Sequence, residues 1–306
     1  MEHNAELRDF LRTRRARLSI DDVDIGGTGR PRRVPGLRRE EVAQLAGVSV
    51  DYYSRLEQGR HLNVSDEVLD AVARALRLDD TERAYLFRIA KTNARRPRRR
   101  TPAPVQRVRP GVWRILETLD DVTPAFVFGR RMDVLAANKL ARALLTDFGG
   151  LPPRERNLLR YTFLDETTRE LFVDWEGVAK DNVGTLRLDA GRYPDDPVLM
   201  ELVGELSVKS PEFRRWWADH NVRERTHGTK HYHHPLVGEL TLQYESVALL
   251  GDPDQTLCLY TAEAGSPSET ALQLLANWTG ERSAGVDEIA QALRGVDGRS
   301  EGTDPF

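Results

Sequence analysis

The sequence predicts a two-domain protein of class α + α/β: a five-helix N-terminal module, then a C-terminal antiparallel sheet accompanied by helices. Three observations predict it. Apolar residues recur at helical spacing as far as about residue 91, whereas from Val222 onward three runs alternate as strands do. Between the two regimes, Thr92 to Pro110 reads TNARRPRRRTPAPVQRVRP, a basic, proline-rich stretch that suits neither a core helix nor a central strand. The charge also changes sign there, since the first 109 residues hold 24 Lys+Arg against 16 Asp+Glu and the remainder 21 against 32. The expected organisation is a helical domain over 1–91, a linker over 92–110, a second domain over 111–280 and a flexible tail over 281–306. With 306 residues and 40% apolar content, each domain is long enough for its own core.

The first helix runs from Ala5 to Leu18, with Leu7, Phe10, Leu11 and Leu18 toward a core. Ile20 to Pro35 contains GGTGRPRRVP and reads as a loop; Arg30, Arg32 and Arg33 suit phosphate contact and a solvated surface equally well. Gly36 to Arg60 then reads GLRREEVAQLAGVSVDYYSRLEQGR, two short helices about a turn at Gly47. Gly47 suits a positive φ, and Ser49 is placed to accept a bond from a free amide and start the second of the pair. Ala43, Leu45 and Ala46 are small or apolar where the first of these helices meets its partner, and Tyr53 and Leu56 recur three apart on the second. This is the pattern of a helix-turn-helix, a rigid pair that lays one helix in a major groove. Ser65 caps a fourth helix bearing Val68, Leu69, Val72, Ala73 and Leu76, and Asp80 a fifth bearing Tyr85, Leu86 and Ile89.

Gly36 to Gly59 resembles the DNA-binding domain of the lambda-repressor-like, xenobiotic-response-element (XRE) class, with its Ala, Gly and terminal Leu-Glu-x-Gly in step. Within that class, LRREEVAQLAGVS followed by DYYSRLEQGR resembles the branch whose second half is an MmyB-like ligand-binding domain, and the resemblance extends from about Leu7 to Trp278. It implies a transcription regulator whose partner is double-stranded DNA. It also implies a homodimer on an imperfect palindrome, with recognition helices about 34 Å apart. The second half is implied to be a PAS-like sheet enclosing a sensor cavity for a small apolar molecule such as a fatty acid.

Base reading is expected from the solvent-facing start of the third helix: Ser49, Val50, Asp51, Ser54 and Arg55. Matching to the repressor pattern puts Val50 and Asp51 at base edges and Arg55 one turn later. The Arg55 fork suits guanine O6 and N7, worth about 1–3 kcal/mol of discrimination. Asp51 repels phosphate, so it either accepts from a cytosine amine or orients Arg55. Tyr52 and Gln58 are expected on phosphates, as are Arg38 and Arg39 at the start of the second helix. Tyr53 is expected to be buried and Glu57 to tie the third helix to the rest of the domain. The Arg95 to Arg100 cluster suits either nonspecific DNA contact or solubility.

In the second module PAFVFGRRMDVLAAN reads as two short strands turning at Gly129 and Arg130, and Asn138 caps the helix NKLARALL. Helical stretches follow near Glu166 to Leu188, Pro197 to Val208 and Glu212 to His220. Strands then run from Val222 to His233, Glu239 to Leu250 and Thr256 to Ala262, before a last helix from Ser268 to Asn277. The candidate cavity-lining residues are Phe126, Phe128, Phe172, Trp175, Phe213, Trp216 and Trp217; core packing accounts for such side chains as well. His227, His231, His233 and His234 form a cluster, but strand alternation puts His231 and His233 on one face and His234 on the other. No carboxylate pattern or cysteine joins them, so no metal and no cofactor is expected. His234-Pro235 followed by Gly238 resembles the family's hairpin motif.

Cys258 is the single cysteine, which rules out an intrachain disulfide and a multi-cysteine metal site; inside TLCLY it reads as a buried small side chain. No apolar run approaches the roughly 18 residues of a membrane span, and MEHNAELRDF lacks a signal-peptide core, so the expected location is the cytoplasm with no membrane partner. No nucleophile elbow, P-loop or dinucleotide fingerprint is present, and no enzyme is expected. The resulting expectation is a DNA-binding transcription regulator. The alternative is a protein-interaction module of the antitoxin or anti-sigma-partner type, with the acidic domain as interface.

Overall fold

In a computed structural model, the described residues are 4–19, 22–23, 36–60, 63–92 and 105–278. The arginines at 30, 32 and 33, the Arg95 to Arg100 cluster and the expected tail over 281–306 lie outside them. In chain order the helices are α1 (Ala5–Arg17), α2 (Arg39–Leu45), α3 (Val50–Glu57), α4 (Asp66–Ala75), α5 (Asp80–Thr92) and α6 (Pro110–Thr118). Strands β1 (Ala125–Phe128) and β2 (Val134–Ala137) lead into α7 (Lys139–Leu144), α8 (Leu158–Leu164), α9 (Thr167–Leu171), α10 (Trp175–Arg192), α11 (Pro197–Lys209) and α12 (Pro211–Ala218). Strands β3 (His227–His234), β4 (Gly238–Ala248) and β5 (Thr256–Thr261) follow, and α13 spans 267–278. Two compact units result: Met1–Pro104 with Gly177–Arg225, and Val105–Glu176 with Thr226–Phe306.

The helical unit is started by side-chain caps. Asn4 accepts from the Leu7 amide, Ser49 from Tyr52 and Ser65 from Val68, each satisfying a donor that the first helical turn leaves open. For α5 the cap is Asp79 rather than Asp80: its carboxylate accepts from the Glu82 amide at 2.8 Å, and Glu82 returns the bond to the Asp79 amide at 3.3 Å. The core joins Leu7, Phe10 and Leu11 of α1 to Val42, Tyr53, Leu56, Leu69, Val72, Tyr85 and Ile89. Leu188 of α10 and Val222 belong to the same core. Val222 therefore does not begin a strand, as its alternation predicts; β3 starts five residues later, because Val222 is packed among helices.

The second unit is built on one five-stranded antiparallel sheet of order β2-β1-β5-β4-β3. Strand β1 is buried at all four positions. One side of this region is covered by α6, whose Val112 and Leu116 pack with Ala125, Val127, Ala136 and Leu257; this helix is not among the elements expected from the sequence. The turn between β1 and β2 passes through Arg131 and Met132, both at positive φ. Asn138 caps α7 as expected, and its carboxamide oxygen also accepts from the Ala125 amide, tying the cap to β1. The expected helix from Glu166 to Leu188 is broken: Phe172 bridges to Tyr232 and the Val173 amide donates to the His231 carbonyl, so the chain leaves helix to extend the sheet edge. Asn157 caps α8, a second helix not anticipated. Cys258 is buried, as expected.

Candidate nucleic-acid interface and effector cavity

The turn between α2 and α3 is set by Gly47, at φ +66°, where an L side chain would be strained. Its amide donates to the Gln44 carbonyl and that of Val48 to Ala43, closing the end of α2. The helices meet through Val42, Ala43 and Ala46, all buried. Leu45, expected in that contact, is 37% exposed, because a stripe at 42, 43 and 46 leaves position 45 on its outer edge.

On its inner side α3 presents Tyr53, Leu56 and Glu57, none more than 1% exposed. The Glu57 carboxylate accepts from Arg15 Nε and Nη2, both at 3.0 Å, and its Oε1 also accepts from Arg39 Nη2 at 3.2 Å. A bidentate fork to a buried carboxylate is the strong form of ion pair, and it fastens α3 to α1 and α2. Burial and the nearby Glu57 charge both push the Tyr53 phenol well above its ordinary range. The Leu-Glu-x-Gly motif thus has a physical reading. Leu56 fills the core and Glu57 makes the fork. Gly59, at φ +68°, lies against the Asn4 backbone, where a Cβ would collide, and its carbonyl accepts from the Asn4 amide at 3.2 Å.

The outer side carries the expected base-reading residues. Val50 is 48% exposed, and Asp51 and Arg55 form an i,i+4 pair at 2.8 Å with both side chains largely in solvent. Ser49 is exposed, while Tyr52, Ser54 and Gln58 are half-buried beside them. Arg38 is half-buried, its backbone amide donating to the Glu41 carboxylate at 2.7 Å and its guanidinium lying 3.4 Å from Glu40. Arg39 remains 47% exposed while reaching Glu57. Both arginines sit at the start of α2, adjoining α3 across one turn.

In the sheet-bearing unit a partly open cavity of about 900 Å³ is lined by residues of α7, α8, α9, the β3–β4 hairpin and Trp278 of α13. Leu144, Leu145, Leu171, Leu236 and Trp278 supply apolar walls, and Lys139, Arg142, Asp147, Glu170 and His233 supply charge or polarity. The hairpin is held by His234: its Nδ1 accepts from the Leu236 amide at 3.3 Å, so Nε2 carries the proton donated to the Ala143 carbonyl, 3.0 Å away. Burial depresses the His234 pKa below its ordinary value, outweighing the bond to Ala143. Tyr161, also lining the cavity, donates to the Leu145 carbonyl, and burial pushes its phenol up.

None of the seven aromatic candidates lines this cavity. Phe126 and Phe128 stack in the sheet core, Phe172 packs on Tyr232, and the Trp175 indole donates to the Thr162 carbonyl. Phe213, Trp216 and Trp217 lie in the helical unit, with Phe213 stacked on Trp217. The seven are thus divided between two cores. The residues that line this cavity are not among the sequence candidates, although the His-Pro-x-x-Gly hairpin lies at its edge.

Two family models match the chain: a helix-turn-helix domain over residues 6–86, and the MmyB-like transcription regulator ligand binding domain over residues 108–275, more than half of the chain. The chain belongs to the MmyB-like transcription regulators. No curated protein matches it. The MmyB-like match includes the His234 hairpin and every cavity-lining residue except Trp278, and the helix-turn-helix match includes α2 and α3. Both are regulatory modules, for DNA and for a small molecule, and neither is a family of enzymes. Among the described residues no group of three or more His, Cys, Asp or Glu side chains is disposed to hold a metal. His231 and His233 face outward on β3 and His234 inward, as the alternation predicts. No helix among the described residues is long and apolar enough to cross a membrane.

Proposed function

We propose that this MmyB-like regulator binds a palindromic operator as a homodimer, each α3 lying in a major groove with Val50, Asp51 and Arg55 at base edges. The observation that carries the reading is the division of α3. Its back is locked by Glu57 and Leu56, and its front offers an arginine held in place by Asp51. Ser49, Tyr52, Ser54, Gln58, Arg38 and Arg39 contact the surrounding backbone and fix the docking register. Selection of binding sites from random duplexes by the full chain, repeated with Arg55→Ala, tests this. The expected result is a palindromic site whose guanine preference at one position per half-site is lost in the variant. An unchanged site and affinity would remove Arg55 from base reading. Partner binding without any DNA affinity would favour the protein-interaction module instead.

The effector is an amphipathic small molecule such as a fatty acid, seated in the cavity of the sheet-bearing unit. Its tail contacts Leu144, Leu171, Leu236 and Trp278. Among the described residues the Arg142 guanidinium has no ion-pair partner, and it stands beside Lys139 at the same cavity, suited to an anionic head. Native mass spectrometry of the purified chain reads both subunit number and co-purified ligand. A monomer, or a fatty acid that still binds when Leu171→Trp fills the cavity, would count against these assignments.

A further inference from the structure

Gly177–Arg225 falls inside the segment matched by the ligand-binding family, yet it packs as part of the helical unit. We propose that this segment is a clamp on the DNA-reading head, which sets the stiffness and placement of α3 by way of α1.

The contacts converge on two buried arginines. Arg187 of α10, 1% exposed, places Nη1 2.7 Å from Glu6 Oε1 on α1 and its guanidinium carbon 3.8 Å from the centre of the Trp217 ring. Its Nη2 donates to the Trp217 carbonyl. The same Glu6 oxygen accepts from the Tyr85 hydroxyl at 2.7 Å and lies 3.1 Å from His220 Nδ1. Arg14, on the same helix as Glu6, donates to the His220 carbonyl at 2.6 Å and meets Glu82 at 2.9 Å. His220 itself sits at φ +50°, in the left-handed region that few non-glycine residues occupy. Burial raises the Glu6 carboxyl, but the His220 bond and the Arg187 charge outweigh it and bring its pKa to about 2.

The acid is the sensitive member of this network, because withdrawing Glu6 leaves the buried Arg187 charge without its carboxylate. The next residue along α1 carries it to the recognition helix: Arg14 faces the clamp, and Arg15 forks Glu57 of α3. Helix α1 is therefore a strut with the clamp at one side and α3 at the other. At 176/177 and 225/226 the clamp is covalently continuous with the chain of the cavity-bearing unit, which gives an effector bound there a route through the clamp to DNA affinity. That last consequence rests on the regulator reading above; the clamp itself does not.

The test is hydrogen exchange by mass spectrometry on the full chain, with Arg187→Met and the milder Glu6→Gln, alongside DNA affinity and its salt dependence. The expected result is at least tenfold faster exchange in α1 and α3 with α4 unchanged. A several-fold weaker DNA complex at an unaltered salt slope accompanies it, since no phosphate contact is removed. Exchange raised only within 177–225 overturns the clamp, and so does a rise shared equally by α3 and α4, which marks a general loss of stability. Should Arg187→Met fail to fold, Glu6→Gln reads the same outcomes. Should the wild-type chain select no DNA site, the regulator reading fails while the exchange pattern still decides the clamp.

Discussion

Across α3, Tyr53, Leu56 and Glu57 are at most 1% exposed, whereas the Asp51 and Arg55 side chains are 71% and 60% exposed, although all five lie on one eight-residue helix. The inner face carries a bidentate ion pair and two core side chains. The outer face carries a single solvated ion pair, whose contribution to stability is small. On the function proposed above, folding and recognition fall on opposite sides of the same helix, and changes on the two sides should separate in measurement.

The largest expected effect is on the inner face. Glu57→Ala leaves Arg15 without its carboxylate and should cost about 3–5 kcal/mol in urea unfolding. A loss below about 1 kcal/mol would mean that the inner face is not what anchors α3. On the outer face, Arg55→Ala should weaken the specific complex by about 1–3 kcal/mol at the base it reads. Its unfolding free energy should stay within about 0.5 kcal/mol of wild type. If both quantities fall together, the separation of faces fails. Ser49→Ala, at the junction of the two faces, should cost about 1 kcal/mol of stability by opening the Tyr52 amide.

The smallest effect sharpens a second contrast, between the helical head and the cavity-bearing unit. His234 has a folded pKa below its ordinary 6.5, so the unfolded chain binds the proton more readily. Its contribution is fully present above 6.5 and is lost as the pH falls from there toward the depressed value. Melting temperatures measured between neutral and mildly acid pH should fall less steeply in His234→Gln than in wild type. Equal slopes would show that the hairpin histidine does not govern this window.

Signals that act within a few residues were legible. Gly47, Ser49, Ser65 and Asn138 each answer to a backbone group two to four positions away, and the alternation that separates His231 from His234 belongs to the strand itself. Glu57 was legible as an anchor because Leu-Glu-x-Gly is a local pattern, though its partner Arg15 was not. The errors share a different cause. Leu45 depends on where α3 crosses α2, and the break at Phe172 depends on an edge 60 residues further along, at Tyr232. The aromatic candidates were chosen by size, and size does not tell a core wall from a cavity wall.

By itself, then, the sequence determined the helix-turn-helix, the exposed outer face of α3 and the antiparallel second half, because periodicity, capping and turn chemistry are short-range. Only the tertiary structure decided which residues line the cavity and that Gly177–Arg225 belongs to the head. Those outcomes rest on buried partners such as Glu6 and Arg187, which lie 181 positions apart and which no local pattern connects.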